Sequence, residues 1–480
     1  MSSRIPAPRR TPPLWLVPAL WTLGLGLWGL SRQGSLWRDE AATWQVALRS
    51  TAGIRTMLAN VDAVHGVYYL LMHGLFDWFG PTTTTLRLPS VLAMAVAAAC
   101  VTVTGEQLGG RGAGLGAGMV LGLLPAVQFY FQEGRPYALV AGGAGVSTLL
   151  LVTLLRRPGR WGRWAAYAGT VLLGALLNWL SLLILPAHAA TLAWSGAGRG
   201  VWARWTAASA AAVAGALPLI LYTARQSEQV SWIPPLTWHM LIGPAVLLAV
   251  GGLGALADRP GAGRLSLASV GLPLLAVPQL GLVVLSLFKP LFLDRYVLFS
   301  MLGLALLAGA ACAAAVRAAA PRFPRASRWL VPVLLAGAVA ALLPQSLAKR
   351  APSSRVDDVL AVTADVRRLK EPGMAVVFLP SARRDTALVS PGAFAGLRDI
   401  ALDRGPLATG TLNGVEAEPA RIRAAMLAEP RILLVTDTPE AARPEAERRE
   451  KVKAAVLRDH FSVIADERAR GRRVTLYERK

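Results

Sequence analysis

Eleven apolar stretches, each long enough or nearly long enough to cross a bilayer as a helix, alternate with short arginine-rich connectors, and no other feature constrains the fold as strongly. They run 14–30, 88–104, 113–131, 136–155, 164–180, 181–197, 205–223, 238–257, 265–288, 296–316 and 329–347. Apolar residues make up 54% of the chain and charged residues 16%, which excludes an ordinary soluble enzyme, a disordered chain and a disulfide-built secreted module. Residues 1–350 carry 27 Lys/Arg against 9 Asp/Glu, whereas residues 351–480 carry 23 against 19, so the basic excess belongs to the apolar part. Those positive charges punctuate apolar runs instead of clustering on a polar face, so they read as topology signals and not as a nucleic-acid surface. The two cysteines, Cys100 and Cys312, both sit inside apolar runs and provide no disulfide framework.

The connectors also give the direction of threading. Arg4, Arg9 and Arg10 precede an apolar run from Leu14 to Leu30 that lacks a small-x-small cleavage site, which reads as a retained signal anchor with a cytoplasmic N-terminus. The inner connectors then hold Arg111, Arg156, Arg157, Arg160, Arg163, Arg199, Arg204, Arg259, Arg264, Arg317, Arg322, Arg325 and Arg328, with only Glu106 and Asp258 beside them. The fifth and sixth spans meet at Asn178–Ser181, where the turn must be tight. An odd number of spans places everything after Leu347 outside the cytoplasm.

The same threading gathers Asp39, Glu40, Asp62, Asp77, Glu133, Glu228 and Asp294 on the outer side. Acidic residues contribute little to orientation, so this sorting points to polar chemistry at the outer face. The first outer loop, 31–87, is long and rich in Trp, Tyr and His. It is expected to form interfacial helices with Trp37, Trp44, Tyr68, Tyr69 and Trp78 at headgroup depth. Residues 1–350 thus form a membrane domain, and 351–480, with the charge density of a soluble domain, an extracytoplasmic α/β accessory domain. Within it the pattern predicts helices over 356–370 and 441–457 and strands at 375–379, 432–436, 461–464 and 473–477.

Three clusters carry candidate chemistry. Trp37-Arg38-Asp39-Glu40 follows the first span; one carboxylate could act as general base or metal ligand while its neighbour orients it or binds the acceptor, or both could simply favour a helix N-terminus. Gln132-Glu133-Gly134-Arg135-Pro136-Tyr137 interrupts two spans, and Glu133 and Arg135 could pair with each other. Lys289 and Asp294-Arg295-Tyr296 stand at another outer helix mouth. Basic residues there oppose the orientation rule; Arg135, Lys289 and Arg295 could hold an anionic phosphate, or could snorkel. His65 and His73 lie too far apart for a helical metal pair, so a histidine site is not expected. A carboxylate-held divalent cation, with Asp39 as one ligand, is left open.

Taken in order, Leu36-Trp37-Arg38-Asp39-Glu40-Ala41, His65-Gly66-Val67-Tyr68-Tyr69, Leu86-Arg87-Leu88-Pro89-Ser90, Gln132–Tyr137 and Asp294-Arg295-Tyr296 resemble the GT-C membrane glycosyltransferases. The closer resemblance is to the protein O-mannosyltransferase and aminoarabinose-transferase branch, in its actinobacterial mannosyltransferase-like form; Gly134 departs from it, standing where alanine is common. The resemblance covers about residues 10–350. It implies an inverting transfer of a sugar, mannose or another hexose, from a polyprenyl-phosphate carrier to an acceptor on the outer side of the plasma membrane. Asp39 would be the catalytic carboxylate and Glu40 its partner. Arg135, Arg295, Lys289 and Tyr296 would hold the donor phosphate, and His65, Tyr68, Tyr69, Gln132, Glu133 and Trp232 would contact substrate. Two rivals stay open on sequence: a flippase or transporter of lipid-linked sugar, and a non-catalytic lipid-binding envelope protein of the same fold.

Overall fold

The computed structural model describes residues 13–30, 35–157, 159–226, 233–258, 264–442 and 447–480. All eleven apolar stretches are helical, and among the described residues seven helical units are long and apolar enough to cross a membrane. Leu16–Leu27 and Trp179–Ser195 are shorter apolar helices. The expected second span and the first half of the third lie within one element, Thr83–Leu123, whose 41 residues would reach about 60 Å if straight, roughly twice the hydrocarbon thickness; the third continues in Pro125–Tyr130. Gly110, at φ 83° and ψ 178°, folds it back on itself. The arms then touch at Gly105 and Gly114, where a Cβ on Gly105 would stand 2.8 Å from the Gly114 Cα. Such small-residue contact lets two helices pack tightly in the absence of a hydrophobic driving force. At the tight turn, the Asn178 side chain accepts from the Leu180 N–H (3.0 Å) and closes the junction between Trp161–Leu177 and the next helix.

The first outer loop forms three helices, Arg38–Ala47, Thr51–Asn60 and Gly66–Phe79. Its aromatic residues do not all face outward from the protein. Tyr68 and Tyr69 are fully buried in the main core, and Trp78 is 82% exposed. The expectation fails for the tyrosines because Gly66–Phe79 turns that face onto the helix bundle, where it packs with Leu36, Ile54, Met72 and Leu86.

After Ser327–Arg350 the chain enters a sheet domain. Its strands are β1 (Ala375–Leu379), β2 (Arg398–Asp399), β3 (Leu402–Arg404), β4 (Val415–Glu416), β5 (Arg431–Asp437), β6 (Phe461–Ala469) and β7 (Arg472–Arg479). Five of them form a sheet of order β2-β1-β5-β7-β6. β1 runs parallel to β2 and β5, and β7 runs antiparallel to β5 and β6. Alternate residues feed the two faces: Val377, Ile432 and Leu434 pack under Pro419–Ala428 and Arg448–His460, and Val376, Phe378 and Leu433 pack against Val366 and Phe394. The expected helix over 356–370 is cut short. Only Thr363–Leu369 is helical, because residues 356–359 are drawn out against the first outer loop, where the Val359 N–H reaches the Leu36 carbonyl (2.7 Å).

Candidate active site

The Asp-Glu pair opens the helix Arg38–Ala47, both carboxylates lying in its first turn. Successive residues of a helix point about 100° apart, and the two acids accordingly meet different surroundings. Glu40 points inward and is fully buried. Its Oε1 accepts from Arg87 Nε (2.8 Å) and the Gly134 N–H (2.9 Å), and its Oε2 from Arg87 Nη2 (2.7 Å). Arg87 also donates to the Ser35 carbonyl (2.7 Å). Burial alone would raise the Glu40 pKa, but Arg87, together with Arg355 and the Gly134 N–H, holds the carboxyl below its ordinary value. Glu40 therefore ties three segments together and turns no oxygen toward an acceptor. The acceptor-binding alternative for it does not fit this placement.

Asp39 points to the opening. Its side chain retains 23% exposure and its Oδ2 accepts from Arg295 Nη1 at 2.8 Å. Arg295 is further framed by Trp37, Tyr137 and Tyr296, whose rings lie 5.5–5.9 Å from its guanidinium carbon. Its neighbour Asp294 accepts from the Tyr130 hydroxyl (2.9 Å).

Glu133 and Arg135 do not pair with each other. Arg135 Nη2 donates to His65 Nε2 (2.7 Å), with longer contacts from Nη1 to the Asp39 carbonyl (3.4 Å) and Thr43 Oγ1 (3.5 Å). Burial, and then the Arg135 charge, hold the His65 pKa well below its ordinary value. A neutral imidazole that accepts at Nε2 carries its proton on Nδ1. Glu133 is buried, and neither carboxylate oxygen has a hydrogen-bond partner among the described residues. Burial pushes it up to about 7, against the pull of Arg355 and Arg295. Its carbonyl accepts from Ser90 Oγ (2.6 Å), and Gly134 leaves room for Leu86, whose Cγ would stand 2.4 Å from a Cβ there.

Two cavities flank the Asp294–Tyr296 segment. One, about 390 Å³, is lined by His65, Asn178, Thr223, Gln226, Lys289 and Tyr296. The other, about 370 Å³, lies among Leu124, Met240, Leu247, Gln279, Asp294 and Leu304 and is mostly apolar. Lys289 is exposed at the rim of the first. The remaining expected contacts are placed differently. Gln132 Nε2 donates to the Gly26 and Trp28 carbonyls (2.8 and 2.9 Å), clamping the end of the first helix instead of facing either cavity. Tyr69 donates to Asp62 Oδ2, whereas the buried Tyr68 hydroxyl has no partner among the described residues. Trp232 lies outside the described residues. Among the described residues, no three His, Cys, Asp or Glu side chains gather to hold a metal ion.

One cation at the site has no counterpart in the sequence reading. Arg355 stacks on Phe129 with 3.4 Å from its guanidinium carbon to the ring centre, donates to the Phe129 carbonyl (2.8 Å), and is the largest charge acting on Glu133. It follows the last membrane helix in a stretch without a motif, and nothing local predicts its return to the Glu133 turn.

No protein-family model matches the chain, and no curated protein matches it. Among solved structures it is similar to ArnT from Cupriavidus metallidurans in the apo state, at 13% identity over 96% of this chain and 97% of that one, with a TM-score of 0.60. The undecaprenyl phosphate-bound form of the same protein gives 14% identity, the same coverage and a TM-score of 0.54. The archaeal oligosaccharyltransferase AglB from Archaeoglobus fulgidus, in complex with an inhibitory peptide and a dolichol-phosphate, gives 12% identity over 88% of this chain and 69% of that one, with a TM-score of 0.51. Both neighbours are GT-C superfamily glycosyltransferases, and the helical bundle with its C-terminal sheet domain has the GT-C fold.

Proposed function

We propose that this protein is an integral-membrane glycosyltransferase. It moves a sugar, mannose or another hexose, from a polyprenyl-phosphate carrier to an acceptor hydroxyl on the outer side of the membrane, with inversion. The observation that carries this reading is the Asp39–Arg295 pair, joined at 2.8 Å, with Arg295 in the Asp294–Tyr296 segment that the two cavities flank. Support for the carrier comes from the fold: ArnT has been solved with undecaprenyl phosphate and AglB with a dolichol-phosphate.

The chemistry is a single displacement. The acceptor oxygen attacks the anomeric carbon as the bond from that carbon to the carrier's phosphate oxygen breaks, and the departing phosphate keeps the electron pair. Asp39 takes the acceptor's proton late, when the hydroxyl has become acidic; geometry matters here before pKa. Arg295 receives the developing negative charge, with Lys289 at the cavity rim as a further cation, since fixed cations at a leaving group lower the barrier most. Tyr296 shapes the cavity wall between them. Arg135 keeps His65 neutral and oriented. Glu133, protonated for part of the neutral range, is able to donate to or accept from a sugar hydroxyl. In this reading the bundle sits in the plasma membrane with its N-terminus cytoplasmic and the sheet domain outside, as the arginine-rich connectors favour.

The test compares lipid extracts and envelope glycans from cells with and without the gene. The reading expects one sugar-charged polyprenyl phosphate to accumulate and one class of glycosylated envelope material to disappear in its absence. Unchanged lipid-linked sugars and unchanged envelope glycans would overturn it.

A further inference from the structure

We infer that the C-terminal sheet domain is a positioning device for the reaction, and that Asp357 is the residue through which it acts on Asp39. This rests on the reading of Asp39 as proton acceptor.

The helix Arg38–Ala47 begins without a cap of its own. The residue at its N-cap is Trp37, which has no side-chain acceptor, so the first backbone N–H groups must find partners elsewhere. The Arg38 N–H finds its partner more than 300 residues further along the chain, and so does the Leu36 N–H just before the helix. Asp357 Oδ1 accepts from the Arg38 N–H and Asp358 Oδ1 from the Leu36 N–H, both at 3.2 Å. A carboxylate at this end of a helix also meets the positive end of the helix dipole. Asp357 Oδ2 in addition holds Arg38 Nε at 3.0 Å, so one carboxylate grips both the backbone and the side chain of the residue next to Asp39.

The sheet domain fixes Asp357 in turn. Its Oδ2 accepts from Arg472 Nη2 (3.1 Å), and Arg472, fully buried at the start of β7, also donates to Asp385 Oδ2 (2.8 Å). Asp385 opens a short helix, Asp385–Val389, that packs on Arg38–Ala47 itself. The β6–β7 hairpin tip reaches the same segment. The Asp358 N–H donates to the Arg470 carbonyl (2.8 Å), and Arg470 Nη1 holds Asp358 Oδ2 (2.7 Å). At Gly471, with φ +81°, a Cβ would stand 2.4 Å from the Val356 carbonyl oxygen and 2.9 Å from the Asp357 Cα. The hairpin therefore presses directly on the capping segment. A domain that merely decorated the enzyme would not need buried charge to reach the first turn of the helix carrying Asp39.

Two readouts separate positioning from general stability. With a short-chain polyprenyl-phosphomannose as donor and a cell-envelope extract as acceptor, Asp357→Ala should lower kcat by about tenfold or more while donor KM stays within about twofold, as expected for a displaced proton acceptor. Asp357→Asn keeps an acceptor for the Arg38 N–H and should recover part of that loss. Arg38→Met leaves the Asp357–Arg472 pair intact, so the sheet domain stays folded, and should reproduce the same kcat-weighted loss in milder form. In parallel, amide exchange over 36–42 in the full-length protein should accelerate in Asp357→Ala and Arg38→Met. Wild-type kcat in both variants, under conditions where Asp39→Asn is inactive, would overturn the inference and leave the functional reading standing. A fully active Asp39→Asn would instead sink that reading, and unchanged exchange over 36–42 would overturn the clamp in either case.

Discussion

Asp39 and Arg295 stand 256 residues apart in sequence and meet at 2.8 Å where the first outer helix faces the mouth of the tenth span. The pair joins the proposed proton acceptor to the proposed phosphate ligand, so a donor phosphate must share or displace this contact to be gripped. Asp39→Asn keeps the size and removes the base. Turnover should fall by about 10²–10⁴-fold, while expression and donor binding survive. Transfer assays on purified, folded protein check this.

Arg295→Lys keeps the charge but loses the planar fork that can grip two phosphate oxygens. Charge-assisted bonds of this kind are worth on the order of 1.5–3 kcal/mol, so the variant should lose roughly tenfold or more in donor affinity or in rate. Donor-dependence curves for Arg295→Lys and Arg295→Ala measure it. Unchanged affinity and turnover in both would remove Arg295 from the phosphate site.

Glu40 should behave unlike its neighbour. Replacing it with Gln removes the carboxylate charge that faces the buried Arg87, and breaking a buried pair of this kind costs about 3–5 kcal/mol. Glu40→Gln should therefore show a clearly lower Tm in detergent, and Asp39→Asn should not. Equal melting temperatures for the two variants would contradict the division of labour between the adjacent acids.

Glu133 supplies a pH signature. Its pKa of about 7 in the folded protein compares with 4.5 for an ordinary glutamate, so between those values the folded state holds a proton that the unfolded state has lost. Its contribution is full below pH 4.5 and declines as pH rises through about 7, by on the order of 3 kcal/mol across the window. Glu133→Gln, neutral throughout, should flatten that slope and be more stable than wild type above about pH 7. Parallel Tm–pH curves for the two proteins would count against a raised Glu133.

Much of this was legible in the sequence, for physical reasons that also explain the failures. The helices were visible because hydrocarbon demands long apolar runs, and even the hairpin at Gly110 coincides with a break between two of them. Asp39, Arg135 and Arg295 stood out as charges that orientation does not explain. Glu40 could not be told from Asp39, since only the turn of the helix sends one toward Arg87 and the other toward Arg295. Tyr68 and Tyr69 looked interfacial because burial depends on which face the bundle covers. Arg355 and Asp357 were invisible: their partners are Phe129, Arg38 and Arg472, and no local pattern encodes a contact across 319 residues.

The threading makes its own prediction. Arg38, Asp357 and Arg472 meet directly, so the first outer loop and the sheet domain share one side of the membrane. A reporter fused after Leu347 should be active only outside the cytoplasm, and fusions at Arg160 and Arg325 should report the cytoplasm. A cytoplasmic signal after Leu347 would reverse the placement of every candidate residue.

The most direct measurement is release of free polyprenyl phosphate from a panel of polyprenyl-phosphate-linked hexoses, mannose first, by purified protein in liposomes supplied with a cell-envelope extract. The wild-type protein should release it from at least one donor, matched by sugar appearing on material in the extract, and Asp39→Asn should not. No release from any such donor, or equal release by wild type and Asp39→Asn, would contradict the proposed transfer.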